Sequence, residues 1–140
     1  MDISDESSDN GANLIQWEFT GKTNQQFEVV DLQNGYYAIM PYHSGKSIDV
    51  WDRNTADGAD VRQYSYLGEY HQQWRIENVG EGYVRIISRL SDKALEVVGS
   101  STSNGGDIRM RTYQGGQNQQ WRLETVPGQK QYTLVWSDEF

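Results

Sequence analysis

One interval organises this chain. Gln25-Gln26-Phe27, Gln72-Gln73-Trp74 and Gln119-Gln120-Trp121 follow one another at a spacing of 47 residues. The same spacing links Asp2, Asp49 and Glu96, and the glycines Gly11, Gly58 and Gly105 and Gly21, Gly68 and Gly115. Apolar positions obey it too: Leu14, Val61 and Ile108, then Val29, Ile76 and Leu123. Different residue types recurring together at one interval, without a gap, mark three copies of one supersecondary unit.

Within each unit the texture is β. Tyr37-Ala38-Ile39-Met40, Ser47-Ile48-Asp49-Val50, Val61-Arg62-Gln63-Tyr64 and Trp74-Arg75-Ile76 alternate in polarity or carry β-branched and aromatic residues. Turn-forming clusters separate them, such as His43-Ser44-Gly45-Lys46, Asn54 to Gly58, and Leu67-Gly68-Glu69. No stretch keeps a capped helical period. Four short strands per unit and three units predict a twelve-stranded all-β domain. Strands this short cannot bury their faces alone, so the units must share one core. Phe27, Trp74 and Trp121 recur once per unit and are assigned to that core.

Composition narrows the function. A net charge of −8 disfavours nucleic acid and anionic glycans, and leaves neutral partners. Without cysteine there are no disulfides or thiolate metal sites. No apolar run approaches the roughly 20 residues of a membrane span, and Met1 leads directly into an acidic stretch rather than a secretory leader. His43 and His71 lack ligand spacing, so neither a metal nor another cofactor is expected. The turn Asp52 to Gly58 fails the calcium-loop pattern and repeats at 5–11 and 99–105 as an ordinary turn. Twenty acidic residues permit many carboxylate pairs, yet no pair stands apart from the repeat as a glycosidase centre would.

Ser44-Gly45-Lys46-Ser47-Ile48-Asp49-Val50, Asn10-Gly11-Ala12-Asn13 and the three Q-x-W or Q-x-F triplets resemble the ricin-type β-trefoil lectins. In particular they resemble the family 13 carbohydrate-binding modules of bacterial glycoside hydrolases, over residues 1–130. The resemblance implies a β-trefoil without catalysis. It also implies a saccharide site in each unit, built from an Asp, an aromatic fifteen residues later, and an Asn and a Gln ahead of the core aromatic. The first unit matches with Asp2, Trp17, Asn24 and Gln25. The second matches with Asp49, Tyr64, His71 and Gln72, His replacing Asn. In the third, Glu96, Asn118 and Gln119 remain, but Arg111 stands at the aromatic position. Glu96 and Arg111 could pair, and the third pocket is expected to be weak or silent. Tyr113 is placed on another face or turn.

Such residues suit sugars: a ring covers the apolar face of a pyranose, while carboxylate and amide groups read its hydroxyls. Asp2 or Asp49 alone would more simply cap a turn; their joint spacing with Trp17 and Tyr64 favours binding. By resemblance, each glutamine also bonds local backbone. Trp51 has Ser4 and Val98 at the equivalent positions and is either a packing residue or an extra platform.

The first unit lacks a strand before Asp2, and Tyr132-Thr133-Leu134-Val135 has the pattern to supply it, in the same molecule or in a swapped dimer. The alternative for residues 131–140 is the start of a linker or enzyme domain. Leu134-Val135-Trp136-Ser137-Asp138-Glu139-Phe140 resembles the opening strand of family 16 glycoside hydrolases of the β-1,3-glucanase type. The expected function is therefore secreted, extracellular binding of a neutral polysaccharide or oligosaccharide, of galactose, glucose or xylose type, beside an attached hydrolase. The alternatives are a protein-interaction trefoil, inhibitor-like or cytoskeletal-binder-like, and an enzyme.

Overall fold

The computed structural model describes residues 1–128 and 131–136. Twelve strands run in chain order: β1 Asp2–Ile3, β2 Leu14–Ile15, β3 Phe27–Asp31, β4 Tyr37–Pro41, β5 Ser47–Val50, β6 Val61–Tyr64, β7 Trp74–Gly80, β8 Tyr83–Ser88, β9 Ala94–Val97, β10 Ile108–Arg111, β11 Trp121–Thr125 and β12 Tyr132–Trp136.

Two closed rings organise them. Hairpins β3–β4, β7–β8 and β11–β12 are joined by single pairings, Tyr37 with Trp74, Val84 with Trp121, and Tyr132 with Phe27. The second ring links the ribbons β1–β2, β5–β6 and β9–β10 through Asn13 with Arg62, Asp60 with Arg109, and Ile15 with Asp107. This is the three-unit β-trefoil. Strand β12 pairs along all of β11 and reaches β3 of its own chain, so the ring closes within one molecule. Residues 137–140, the end of the hydrolase-like stretch, lie outside the described residues.

The core is assembled in layers of three, one residue per unit. Phe27, Trp74 and Trp121 are fully buried. So are Ile3, Val50 and Val97, and Leu14, Val61 and Ile108 are nearly so. Ile39, Ile86 and Leu134 form another layer, to which β12 contributes its leucine. The indoles of Trp74 and Trp121 donate from Nε1 to the carbonyls of Ile48 and Leu95, which satisfies their polar edge.

Among the described residues, six 3-10 turns, invisible to a search for helical period, complete the units. Three follow the first ribbon strands at Ser4–Glu6, Trp51–Arg53 and Val98–Ser100, and three precede the core aromatics at Thr23–Gln25, Tyr70–Gln72 and Gln117–Gln119. Each is only three residues long, too short for a 3.6-residue periodicity to register.

The units are clamped head to tail. Gly11, Gly58 and Gly105 have φ of 91°, 89° and 86°, a left-handed conformation open to glycine. Their N–H groups donate to the carbonyls of Gln63, Met110 and Gln16, each in another unit. The buried Gln63 amide also donates to the carbonyls of Ser7 and Asp9, at 2.8 and 2.9 Å, and accepts from Ser44 Oγ. Gln16 grips Ser101 and Ser103 in the same way. The third equivalent is Met110, which cannot make the clamp.

Two outcomes follow from this packing. Gln63→Met should cost about 1–3 kcal/mol in denaturant unfolding, because the buried amide's bonds to Ser7, Asp9 and Ser44 are all lost, whereas an exposed-loop control changes little. Removing residues 131–140 deletes β12 and one member of a core layer. The truncated chain should melt far below the full chain or fail to fold; equal thermal stability would show that the ring does not depend on β12.

Candidate functional site

In each unit the acidic residue sits on the first ribbon strand and the candidate platform position at the far end of the second or, for Trp17, two residues past it. Asp49 stands opposite Arg62, and Tyr64 lies two residues further along β6, on the same face. Asp2 stands opposite Ile15, with Trp17 two residues on. The strand period of two thus converts the fifteen-residue spacing into proximity.

The 3-10 turn before each core aromatic carries the donors inward. Asn24 Nδ2 donates to Asp2 Oδ1 at 3.2 Å, and Gln25 Nε2 to Asp2 Oδ2 at 3.0 Å. In the second unit His71 Nε2 lies 3.3 Å from Asp49 Oδ2, and Gln72 Nε2 donates to the same oxygen at 3.0 Å. The glutamines are spent on this internal work. Gln25 Oε1 accepts from Thr20 N and its Nε2 donates to Glu18 O; Gln72 does the same with Leu67 N and Ser65 O, and Gln119 with Gln114 N and Thr112 O. All three are buried. They hold the backbone and, in the first two units, the carboxylate, instead of presenting a free amide.

A pocket opens in front of each of the first two carboxylates. That of the first unit encloses about 250 Å³, bordered by Asp2, Trp17, Asn24, Lys22 and Thr20. That of the second encloses about 430 Å³, bordered by Asp49, Trp51, Tyr64, Leu67, Glu69 and His71. Trp51 is a packing residue that also borders this pocket. Its ring packs at 60° to Tyr64, with centroids 6.0 Å apart, carries the Arg62 guanidinium at 4.7 Å, and still borders the pocket. Two rings at an angle replace the single ring of the first unit.

The third unit differs from the other two. Arg111 is exposed and acts on the Glu96 carboxyl electrostatically, but the expected ion pair is not formed, since the two are not within 4.0 Å. Asn118 Nδ2 donates to Val97 O, and its side chain favours the ionised form of the Glu96 carboxyl. Tyr113, just past β10, lies under the Arg85 guanidinium at 4.9 Å. Among the described residues, no group of three or more His, Cys, Asp or Glu is placed to hold a metal ion.

Burial raises the pKa values of Asp2, Asp49 and Glu96 above the ordinary carboxylate values, against the opposing pull of Gln25 on Asp2, of His71 and Gln72 on Asp49, and of Arg111 and Asn118 on Glu96. The ionised carboxylates are therefore kept at a cost to stability. A raised carboxyl pKa in the folded state destabilises above that pKa and is relieved as pH falls through it. Asp49→Asn, whose amide oxygen can face Gln72 and His71, should melt at the same or a higher temperature than the parent at pH 7. The difference should shrink on acidification, as Asp49 takes up its proton. A loss of about 1–3 kcal/mol at pH 7, the usual result of deleting a buried hydrogen-bonding partner, would mean instead that the charge stabilises the fold.

Comparison with known proteins agrees with this architecture. The family model for the ricin-type beta-trefoil lectin domain-like proteins matches residues 1–64 and 70–138. The designed three-fold symmetric protein ThreeFoil superposes with a TM-score of 0.89, at 47% identity over 90% of each chain. An exo-β-1,3-galactanase from Clostridium thermocellum superposes at 0.85, with 36% identity over 96% of this chain; the chain spans 27% of that enzyme. The Macrolepiota procera ricin B-like lectin, solved in complex with lactose, shares the fold at a TM-score of 0.74 and 20% identity, over 87% of this chain and 84% of the lectin. No curated protein sequence matches the chain. The chain belongs to the ricin-type β-trefoil lectin domain-like family.

Proposed function

We propose that this chain is a non-catalytic saccharide-binding module whose first and second units each hold a neutral sugar. One observation carries the reading: in both units a buried carboxylate, fixed by at least two nitrogen groups, opens onto a pocket that an aromatic ring borders. Asp2 with Asn24, and Asp49 with His71, supply an acceptor beside a second polar group, the pairing that reads adjacent hydroxyls. Trp17 and Tyr64 take the apolar face of the ring. Gln25 and Gln72 act behind them as positioning residues. Glu96, Asn118 and Gln119 keep the polar half of the pattern in the third unit, but Arg111 gives no apolar platform, so this unit is the weak one.

The charge of −8 favours a neutral ligand, and the lactose-bound lectin of the same fold is consistent with galactose-type ends. Glucose and xylose types fit the same chemistry. Likeness to a segment of an exo-β-1,3-galactanase supports a role beside an attached glycoside hydrolase, outside the cell, holding the enzyme near its polysaccharide. A shallow site that buries little of its ligand should bind with a Kd of about 10⁻³ to 10⁻⁴ M, with two sites on one chain raising affinity for a polymer.

The test is a glycan array followed by calorimetry on the parent, Asp2→Ala, Asp49→Ala and the double variant. Each single variant should lose one class of sites, and the double variant should fall at least tenfold on every bound glycan. Unchanged glycan binding in the double variant removes the site assignment. A folded parent that binds no neutral glycan favours the protein-interaction role.

A further inference from the structure

We propose that the first unit carries a second saccharide subsite, a cleft on the other side of Trp17, so that it engages a stretch of an oligosaccharide instead of one sugar. The proposal rests on the reading of Asp2 and Trp17 given above. The cleft encloses about 660 Å³, well above the 250 Å³ of the Asp2 pocket. Trp17 borders both. A chain whose terminal ring meets Asp2 can therefore cross Trp17 and continue into the cleft without leaving the surface.

The lining has the character that a pyranose chain requires. Phe19 is 77% exposed and Trp17 40%, which leaves two aromatic surfaces accessible beside one groove. Val126 and Pro127 supply apolar surface, while Gln26, Arg122 and Glu124 bring polar groups. The Arg122 guanidinium is 2.6 Å from Glu124, which fixes both heads. Apolar faces with a few oriented polar groups are what a site for a ring carrying hydroxyls needs. Glu18 and Glu124 in the lining disfavour an anionic chain, so the occupant is a neutral one.

The other units do not repeat the arrangement. The equivalents of Phe19 are Tyr66 and Tyr113, both half-buried, and Tyr113 lies beneath Arg85. The equivalent of Trp17 in the third unit is Arg111. An exposed phenylalanine on a β-trefoil surface contributes nothing to the core described above, and the cleft gives it a use. The first unit is thus the one that distinguishes chain length, and the second unit, with its paired rings Trp51 and Tyr64, the one that grips a single residue.

The test uses the full chain with the second site silenced by Asp49→Ala. In that background, calorimetry compares galactose with β-1,3-galactotriose, glucose with β-1,3-glucotriose, and xylose with xylotriose. At least one trisaccharide should bind about five- to tenfold more tightly than its monosaccharide, the scale of one added aromatic contact. Adding Phe19→Ala should erase that gain, leave monosaccharide affinity within twofold, and leave the melting temperature unchanged, since the ring is exposed. Equal affinity for mono- and trisaccharides, or a gain that survives Phe19→Ala, overturns the subsite while the Asp2 site stands. Asp2→Ala separates the two ideas. If it leaves monosaccharide binding intact, the underlying site assignment fails; if it abolishes that binding and Phe19→Ala affects only the trisaccharide, both hold.

Discussion

The side-chain amide of one glutamine per unit joins the fold to the site. Gln25, Gln72 and Gln119 each stand two residues before a core aromatic, and each fastens the loop behind it through one accepted and one donated hydrogen bond. A buried amide must be fully partnered, so the 3-10 turn that bears it can adopt few other positions. That turn also delivers Asn24 or His71 to the carboxylate. Fixing the backbone and orienting the acid are consequences of one set of bonds. The third unit demonstrates the division: Gln119 keeps its backbone partners without a bond to Glu96 within 3.5 Å, and the fold there is unaltered.

Much of this architecture was legible in the 47-residue interval, because a shared core demands the same volume from each unit at the same position. Phe27, Trp74 and Trp121 declare themselves that way, and so do Asp2 and Asp49 with their aromatics. What escaped the sequence has physical reasons. The 3-10 turns are too short to leave a period. The clamp made by Gln16 and Gln63 is concealed by Met110, which breaks the identity at the third copy. Trp51 carries no repeat signal, and its packing against Tyr64 at the pocket edge depends on an angle, a quantity no spacing encodes. Phe19 continues an aromatic series with Tyr66 and Tyr113, and a series suggests packing; only its exposure distinguishes it.

The molecule thus keeps its symmetry most closely in the layers of the core and abandons it most where residues meet solvent. The four core layers named above vary only among Ile, Val, Leu and the aromatics, since a close-packed interior tolerates little change in volume. The surfaces in front of the three acids have drifted to one ring, two rings and a guanidinium. A repeated scaffold with unequal faces lets one small domain present several affinities at once, without any change in its packing.

The head-to-tail clamps have a kinetic meaning. Gln63 reaches back 54 and 56 residues to Asp9 and Ser7, and Gln16 reaches forward 85 and 87 to Ser101 and Ser103. Contacts so distant along the chain form late, after the loops they close have lost their freedom. Such a ring assembles slowly. It also opens slowly, because freeing any one unit requires two junctions to separate together. For a domain of this kind, persistence in a harsh medium is governed by the rate at which the ring first breaks, and equilibrium stability alone understates it.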